Sequence, residues 1–402
     1  MLSNISASPL LRMANGLSGP ILGLGLVLSA TAGCELDRRP IYGSSDGGMG
    51  GDGGTMVADG GGGMGDGGMG GDGGVGGDGG MSGGVVVGSQ YAPSPLRPAD
   101  SSSLPPTHAF FLWQNGEVPA GRTFENFEFC QTSGPSSEID DDSLCPASAL
   151  LTDFYQVVYP LTEDSTYRWK VRARYSGGYY SEWSAIRVFS TDHSLEASLP
   201  WDGSGTDISS GGHNATLQNG AGYTTGIDGQ ALQCDGINDY ASLGGGLALP
   251  GPLTVSAWIY GNGTPTSADS GILNQGDLDY ALTYHTNGRV YFYIGDGTNS
   301  VNALVSASAW HHVLGTFSGT TGANGLRLFV DGALGAQQAS LFATTGAAGN
   351  LDVGRYLASY FNGRVDNVTI YNQALSDVAI LNEYCATQAE GMTGPLPAAC
   401  QP

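Results

Sequence analysis

The stretch Leu326-Arg-Leu-Phe-Val-Asp-Gly332 contains the pattern that decides the fold of the C-terminal half of the chain. Its apolar side chains recur at every second position, which is the period of a β-strand. The dipeptide Asp331-Gly332 is a two-residue hairpin signal. The stretch Leu253-Thr-Val-Ser-Ala-Trp-Ile259 repeats the alternation and places Ser256 and Trp258 on the face opposite its smaller apolar residues. Such strands predict packed antiparallel sheets.

Residues 195–386 contain further short strands, separated by glycine turns, and no long amphipathic helix. In order along the chain, their motifs are Trp201–Thr206, Asp207–Leu217, Gly229–Tyr240, Leu253–Ile259, Ala309–Val313, Leu326–Gly332, Gly354-Arg355 and Phe361–Asn372. This series resembles the laminin-G-like, concanavalin A-like jelly roll that is common in bacterial surface proteins. The resemblance implies an all-β jelly roll, closed by a short helix over 374–381 with Ser376 as its N-cap.

The same resemblance implies a structural calcium ion between the opening segment and the last strand. The residues at matching places are Asp202, Asp207 and Asp366, with Asp235 and Asp239 as further candidates. Carboxylate and carbonyl oxygens are the ligands that Ca²⁺ takes. The alternative is that the Asp-Gly pairs only form turns and that Asp366 contacts backbone or an arginine.

The C-terminal domain lacks an evident catalytic carboxylate pair. Glycosidases usually need two carboxyl groups about 5–9.5 Å apart. Apart from Glu196 at its start, the domain has no glutamate before Glu383. Adjacent His311 and His312 should point to opposite faces of a strand, so they are not expected to share a metal ion. We therefore expect no enzymatic activity, with a jelly-roll glycoside hydrolase as the less favoured alternative.

A jelly roll without catalytic groups suggests binding of a glycan or another extracellular ligand, by analogy of fold. Sugar sites on such folds stack exposed aromatic side chains against sugar rings. Loose candidates, which could equally pack across strands, are Tyr284, Tyr291, Tyr293, Tyr356 and Tyr360. The competing interpretation is a structural or protein–protein adhesion module with no small ligand.

Residues 92–192 contain a second series of alternating strands between turn clusters. The spacing of Leu161 and Tyr167, the strand Tyr167–Ala173 and the pair Trp183-Ser184 resemble a fibronectin type III domain. The resemblance implies a β-sandwich with a tyrosine corner, in which the Tyr167 phenol bonds to upstream backbone. We interpret this module as a spacer, with a protein-binding surface as the alternative.

The cysteines of an exported chain are expected to form disulfides. Cys130 and Cys145 bracket a polar insertion and predict one bridge. Cys385, just before the C-terminal tail of residues 387–402, and Cys400, near its end, predict another. Cys234 lies in a strand and is expected to be a buried thiol, although a Cys234–Cys385 pairing stays open.

Residues 1–33 resemble the signal peptide of a bacterial lipoprotein. The apolar run Ile21–Gly33 is too short to span a bilayer, which takes about 20 residues. The sequence Ala30-Thr-Ala-Gly-Cys34 resembles a lipobox, which implies a lipid on Cys34. Glu35 then implies an outer-membrane destination, and multiple acyl chains would anchor the protein firmly. Ordinary signal cleavage just before the cysteine is the alternative.

Residues 34–91 are mostly Gly, Asp and Met in near-repeats such as GGMGGDGG. Such a segment cannot bury enough apolar surface to offset its ordering entropy, so it predicts a disordered tether. The net charge is −23, and Lys170 is the only lysine, so nucleic acid is not an expected partner. The sequence thus predicts a secreted protein, lipid-anchored at the bacterial outer membrane or cell surface, with an extracellular glycan or protein as partner.

Overall fold

The structure is a computed structural model that describes residues 84–134, 136–140, 151–158, 160–276, 279–295, 297–341, 343–346, 349–391 and 395–402. The expected signal peptide of residues 1–33, the lipidation at Cys34 and most of the expected tether lie outside the described residues. No helix within the described ranges is long and apolar enough to cross a membrane. The predicted all-β fold class is confirmed, because strands dominate the described residues.

Residues 84–191 form a module that we call the N-terminal sandwich. One sheet has the strand order β1-β8-β7-β9-β3 with β5 paired to β7, and the other has the order β2-β4-β6. A short helix, α1 (Ser136–Asp140), follows β5. The strands are β1 (Val85–Val87), β2 (Ser94–Arg97), β3 (Ser102–Leu104), β4 (Ala109–Gln114), β5 (Phe124–Thr132), β6 (Tyr155–Val158), β7 (Thr166–Tyr175), β8 (Tyr179–Ser181) and β9 (Arg187–Thr191).

The N-terminal sandwich begins at Val85, which corrects the expected end of the tether at residue 91. The three valines of β1 pair in parallel with β8, so that Val85 lies opposite Tyr179. β-branched side chains favour extended backbone, and the neighbouring β8 offers a free edge for pairing. The disorder that the glycine-rich composition predicts therefore does not extend to the valines of β1.

The core of the N-terminal sandwich is aromatic. Alternate residues of β7, among them Trp169 and Val171, are fully buried, as the sequence pattern predicts. Trp169 packs edge-on against Phe111 with ring centres 5.2 Å apart. The Tyr167 hydroxyl accepts a hydrogen bond from the backbone N–H of Thr162 at 2.7 Å, which is the expected corner contact.

The second module, residues 195–371, is the C-terminal sandwich. Its strands are β10 (Leu195–Leu199), β11 (Thr216–Gln218), β12 (Gly222–Thr225), β13 (Gln230–Asp235), β14 (Tyr240–Ser242), β15 (Pro252–Gly261), β16 (Ser270–Gln275), β17 (Tyr280–Tyr284), β18 (Arg289–Ile294), β19 (Asn299–Leu304), β20 (Trp310–Ser318), β21 (Gly322–Val330), β22 (Ala333–Ser340), β23 (Leu351–Val353), β24 (Arg355–Tyr356), β25 (Ser359–Tyr360) and β26 (Asn362–Tyr371).

Two sheets face each other in the C-terminal sandwich. The back sheet has the order β12-β13-β26-β15-β20-β21-β22, with β10 also paired to β26. The front sheet has the order β11-β14-β23-β16-β17-β18-β19, and the β24–β25 hairpin joins it beside β16. One continuous core fills the space between them and includes Val255, Leu328 and Phe292. The alternation in β15 and β21 that predicted packed sheets is therefore confirmed.

The chain continues into helix α2 (Asp377–Gly391), which is longer than the expected helix over 374–381. Ser376 caps it as expected, since its Oγ accepts a hydrogen bond from the Ala379 N–H at 3.3 Å. Buried residues run almost throughout the helix, because it packs against more than one neighbour. Such a helix lacks the one-sided apolar stripe by which sequence patterns reveal helices, so its true length was missed.

Helix α2 lies between the two sandwiches. Phe110 of β4, Trp258 of β15 and Tyr384 of the helix share one apolar cluster. Asn382 donates to the carbonyl of His108 at 2.7 Å and accepts from the Phe110 N–H at 3.0 Å. The N-terminal sandwich is therefore packed through the helix onto the C-terminal sandwich.

The predicted disulfide Cys385–Cys400 is present and ties the end of the chain to α2. Cys400 is buried in the same cluster as Tyr384, so this segment is packed rather than trailing. Cys234 is a buried free thiol, so the alternative Cys234–Cys385 disulfide does not form. Burial raises the pKa of Cys234 to about 12, so its thiol stays protonated. Cys130 is disulfide-bonded, and its expected partner Cys145 lies outside the described residues.

Candidate functional site

The outer face of the front sheet carries a row of polar and aromatic side chains. Strand pairing places Asp352 opposite Asn274, Asn274 opposite Ala281, and Ala281 opposite Tyr293. The residues that alternate with them, such as Leu273, belong to the core between the sheets. Because neighbouring strands lie about 4.8 Å apart, the row from Asp352 to Tyr293 spans roughly 14 Å.

One end of this row opens into a depression that we call the outer groove. It has a volume of about 320 Å³. Its lining residues are Asn274, Gly276, Gly349, Asn350, Asp352, Arg355 and Leu357. They come from β16, β23, the β24–β25 hairpin and the loops beside them. The groove is thus polar along one wall and carries one exposed apolar side chain, Leu357.

Two glycines allow the backbone to close up beside the groove. A Cβ on Gly349 would lie 2.4 Å from the Cα of Gly276, which is a clash between two backbones. Gly276 also has a φ of +55°, in the left-handed region that favours glycine. The loop that precedes Gly349 is held by Asp279, whose carboxylate accepts hydrogen bonds from the N–H of Thr345 at 2.7 Å and of Gly346 at 3.2 Å.

Arg355 is held in place on the polar wall of the outer groove. Its Nε donates to Oδ2 of Asp352 at 3.0 Å, and its Nη2 donates to the same oxygen. Its guanidinium carbon lies 4.1 Å from the ring centre of Tyr240. Burial works against the charge, but the hydrogen bonds and charge of Asp352 outweigh it, so the pKa of Arg355 is raised. The cation is therefore permanent and oriented.

Two acceptor atoms in the lining residues are buried without a hydrogen-bond partner. They are Oδ1 of Asn274 and Oδ1 of Asp352. Asn274 is 5% exposed and Asp352 is 3% exposed. An unpaired buried acceptor costs about 1–3 kcal/mol, so proteins normally pair such atoms. Two of them in one groove mark it as a place where donor groups of a ligand would be stabilised.

An aromatic stack continues the row beyond the groove. Ring centres are 6.2 Å apart between Tyr356 and Tyr293, 5.8 Å between Tyr293 and Tyr291, and 3.9 Å between Tyr291 and His285. The interplanar angles are 13–26°, so the rings are stacked. Tyr293 and Tyr356 are mostly covered by one another and by Ala281.

The far end of the stack is a hydrogen-bonded group centred on His285. Its Nε2 lies 2.6 Å from Oδ1 of Asp269 and 2.9 Å from the hydroxyl of Tyr293. Burial lowers the pKa of His285, and the nearby Asp269 only partly offsets this. Burial and the charge of Asp269 also raise the pKa of Tyr293. His285 is therefore a neutral, orienting group at neutral pH.

The tyrosines that the sequence offered as loose candidates separate into three places. Tyr284 lies in the core between the sheets and is 2% exposed. Tyr291, Tyr293 and Tyr356 come together in the aromatic stack. Tyr360 lies elsewhere, with its ring centre 6.4 Å from that of half-buried Tyr240.

Sequence reasoning missed Asn274, Asp352 and Arg355 altogether. Asn274 and Asp352 are 78 positions apart in the sequence and meet only through the pairing of β16 with β23. The spacing of Asp352 and Arg355 was a weak signal, because an Asp–Arg pair three residues apart is common in loops. Neither residue belongs to an alternating strand long enough to mark its outward face.

The three aspartates expected to bind calcium do not form one group. Asp366 accepts from the N–H of Ile227 at 2.8 Å, and Asp202 accepts from that of Gln230 at 2.7 Å, so both hold one turn over 226–229. Asp207 instead accepts hydrogen bonds from the N–H groups of Ser198, Ser209 and His213, so both of its oxygens bind local backbone.

Asp202 and Asp366 fit a cation better than Asp207 does. Burial raises the pKa of Asp366 to about 8, the charge of Asp202 adds to this effect, and such carboxylates are the hard oxygen ligands that Ca²⁺ prefers. No three His, Cys, Asp or Glu side chains gather into a metal site in the part of the chain that is described. Asp235 accepts from the N–H of Ile237 at 2.7 Å, which is a turn contact, and calcium stays a prediction for the remaining pair.

His311 and His312 have separate partners, as expected for adjacent strand residues. His311 Nδ1 lies 2.8 Å from Asp331, whereas His312 lies beneath helix α2 with its Nε2 3.7 Å from Glu383. Glu383 also accepts hydrogen bonds from three hydroxyls, those of Ser256, Thr369 and Tyr371. Burial alone would raise the pKa of Glu383, but His312 and the hydroxyls of Ser256 and Thr369 outweigh burial and lower the pKa. This buried polar cluster joins the helix to the back sheet.

Comparisons with known proteins found solved structures with partial similarity to this chain. Domain 4 of an extracellular arabinanase from Geobacillus stearothermophilus, in complex with arabinotriose, is 17% identical, with a TM-score of 0.40, over 47% of this chain and 97% of that one. Trypanosoma rangeli sialidase is 16% identical, with a TM-score of 0.39, over 50% of this chain. The binding domain of Paraclostridial mosquitocidal protein 1 is 14% identical, with a TM-score of 0.38, over 48% of this chain.

This chain covers only 33% of the sialidase chain and 52% of the mosquitocidal protein chain. No curated protein matches the sequence. The family model described as the concanavalin A-like lectin/glucanases superfamily matches residues 235–381. This range covers most of the front sheet and the start of helix α2. Residues 235–381 are therefore a concanavalin A-like jelly-roll domain.

Proposed function

We propose that this protein is a non-catalytic binding protein whose outer groove holds a glycan. The observation that carries the proposal is the pair of unpartnered acceptors, Oδ1 of Asn274 and Oδ1 of Asp352, in one groove. Sugars carry many hydroxyl groups, which can donate hydrogen bonds to these unpaired acceptors. Both residues line the groove, so their side chains lie beside the space that a sugar would occupy.

The walls of the outer groove suit a sugar in two further ways. Arg355 presents a fixed cation on the polar wall, and Leu357 adds an exposed apolar side chain. Ligand sites combine apolar surface with a few fixed polar groups in this manner. The matching family is named for both lectins and glucanases, and either name agrees with a sugar as the ligand.

Binding suits the outer groove better than hydrolysis. Of the described residues that line it, Asp352 is the one carboxylate. A glycosidase normally needs a second carboxyl group about 5–9.5 Å away. Oδ2 of Asp352 is also already hydrogen-bonded to Arg355.

The predicted export and lipidation of the chain are consistent with a glycan-binding role. A signal peptide in residues 1–33 and a lipid on Cys34 would place the protein at the bacterial outer membrane or cell surface. There the outer groove would meet extracellular glycans. With a net charge of −23, nucleic acid is a poor partner for this protein.

A glycan array with the purified full chain tests the proposal. We expect saturable binding to one group of glycans, and we expect Asp352→Asn to weaken it at least about tenfold, equivalent to about 1.4 kcal/mol. Tyr260→Ala is the matched control, because Tyr260 lies in the back sheet, away from the outer groove.

Silence across the whole array, with an intact fold by circular dichroism, would reject the glycan proposal. If Asp352→Asn and Tyr260→Ala weakened binding equally, the outer groove would not be the site. If the protein bound no glycan on the array but did bind a purified protein ligand, the adhesion-module alternative would be supported instead.

A further inference from the structure

The outer groove combines polar acceptors with an apolar side chain in an unusual position. Leu357 is 56% exposed and lines the groove together with Asn274 and Asp352. A lone exposed leucine is ordinary on a protein surface, but this one has a backbone conformation that a leucine rarely adopts.

Leu357 occupies the first position of the two-residue turn between β24 and β25, with a φ of +52°. Turns of this kind favour Gly or Asn at that position, because a positive φ is strained for most other side chains. The chain therefore keeps a bulky apolar residue where a smaller one would fit the backbone better. Backbone strain of this kind often accompanies a functional contact.

Three features of the outer groove need different ligand groups. The unpartnered Oδ1 atoms of Asn274 and Asp352 need a donor. Arg355 carries five N–H donors, of which Nε and Nη2 bind Asp352, and exposed Asn350 offers an amide donor to a ligand carbonyl. Leu357 offers apolar contact to a methyl group.

Resting on the proposed function, we propose that the outer groove selects sugars that carry an acetamido group. That group supplies an N–H donor, a carbonyl acceptor and a methyl group on neighbouring atoms. The N–H would bind an acceptor of Asp352 or Asn274, the carbonyl would accept from Asn350 or Arg355, and the methyl would contact Leu357. A plain hydroxyl sugar would satisfy the acceptors but leave Leu357 without an apolar partner.

Charge argues against the acidic sugars. Oδ2 of Asp352 already receives Arg355, so that cation is neutralised inside the groove. A second carboxylate or a sulfate would meet the charge of Asp352 and a protein of net charge −23. A free amino sugar would suit Asp352 but would place an ammonium group against Leu357, so it is the main competitor.

Matched sugar sets test the inference directly. We would measure biolayer interferometry of the full chain on N-acetylglucosamine, glucosamine and glucose, and on the corresponding galactose set, each as α- and β-linked conjugates. Members of a set differ only in the group at C2. In at least one set, we expect the acetamido sugar to bind at least about tenfold more tightly than the other two, equivalent to about 1.4 kcal/mol.

Variants at Leu357 separate a ligand contact from a purely structural role. Leu357→Gly removes the side chain and relieves the turn, so we expect an unfolding midpoint no lower than that of the wild type and a loss of most of the acetamido preference. Leu357→Met should restore the preference. Leu304→Ala is the control, because Leu304 is 66% exposed and is not among the groove-lining residues.

Equal or tighter binding of the hydroxyl or amino sugar would overturn the inference while leaving glycan binding in place. So would array binding confined to glycans without acetamido groups. An unchanged preference in Leu357→Gly would equally reject the role of Leu357. If neither the matched sets nor the glycan array bind, the proposed function fails, and this inference fails with it.

Discussion

The two outer faces of the C-terminal sandwich carry similar side chains but have different surroundings. The back sheet presents Ser256, Thr369 and Tyr371, which all bind Glu383 of the covering helix α2. The front sheet presents Asn274 and Asp352, each with an unpaired acceptor, to the outer groove. Polar residues on an outer face thus serve cohesion where an element covers them. In the outer groove, the acceptors of Asn274 and Asp352 are buried but have no partner among the described residues, and we propose that a ligand supplies one.

The largest expected effect is the loss of stability on removing Glu383, which joins helix α2 to the back sheet. Glu383→Ala leaves Ser256, Thr369 and Tyr371 buried without their common acceptor, and it removes the partner of His312. Breaking a buried charged group in this way costs about 3–5 kcal/mol. We expect a loss of that size in the free energy of unfolding, measured by urea denaturation.

The control for this change is Glu182→Ala, since Glu182 is an exposed glutamate. It should alter the unfolding free energy by less than about 0.5 kcal/mol. A loss below about 1 kcal/mol for Glu383→Ala would mean that the cluster does not hold the helix on the back sheet.

The second prediction concerns whether Asp202 and Asp366 bind a calcium ion at the back sheet. If Asp202 and Asp366 hold Ca²⁺, EDTA should lower the melting temperature, and Ca²⁺ at about 100 times its Kd should stabilise the fold by about 2.7 kcal/mol. Asp366→Asn should abolish the response, whereas Asp207→Asn should keep it. Differential scanning calorimetry with and without Ca²⁺ measures both, and an unchanged wild-type transition would remove calcium from this fold.

Gly349→Ala tests whether the shape of the outer groove matters for stability and for glycan binding. The added Cβ would lie 2.4 Å from the Cα of Gly276, so the two loops must separate. We expect a loss of about 1–3 kcal/mol in unfolding free energy, as for overpacking elsewhere, together with weaker glycan binding.

Gly222→Ala is the comparison for this change, because a Cβ on Gly222 meets no atom within 4 Å. If Gly349→Ala bound glycan like the wild type despite its lower stability, the shape of the groove would not matter for recognition.

The smallest expected effect is a pH dependence at the end of the aromatic stack. Burial lowers the pKa of His285 from its ordinary value of 6.5, so the unfolded chain binds a proton more readily than the folded one. The stability that His285 contributes is therefore present above pH 6.5 and is lost as the pH falls through its folded pKa. His285→Gln should flatten the fall of the melting temperature as the pH drops below 6.5.

His193→Gln serves as the control for His285, since the His193 side chain is 64% exposed. It should leave the slope of melting temperature against pH close to that of the wild type. A steeper slope in His285→Gln would show that Asp269, rather than burial, governs the protonation of His285.

Local patterns predicted much of the fold. Alternation in β15 and β21 identified the residues of the core, and the position of Ser376 identified the start of α2. The Tyr167 corner and the Cys385–Cys400 disulfide also followed from spacing and family resemblance. These features depend on residues that are close in sequence or on strands that show their inward face by themselves.

The candidate site could not be predicted in the same way. Tyr284 and Tyr293 look alike as aromatic residues in neighbouring strands, yet one lies in the core and the other on the outer face. The sequence also offered Asp207 as a calcium ligand, whereas its oxygens are taken by nearby backbone N–H groups. Only the spatial neighbours of a side chain distinguish such cases.

The amino-acid sequence alone determined that this chain forms β-sandwiches, because a period of two assigns alternate residues to opposite faces of a strand whatever surrounds it. Tertiary structure decided which polar residues of the outer faces pair with helix α2 and which line the outer groove. Helix α2 reaches the back sheet from the end of the chain, and Asn274 meets Asp352 only through strand pairing across 78 positions. Burial and hydrogen bonding depend on such distant partners, so no local pattern records them.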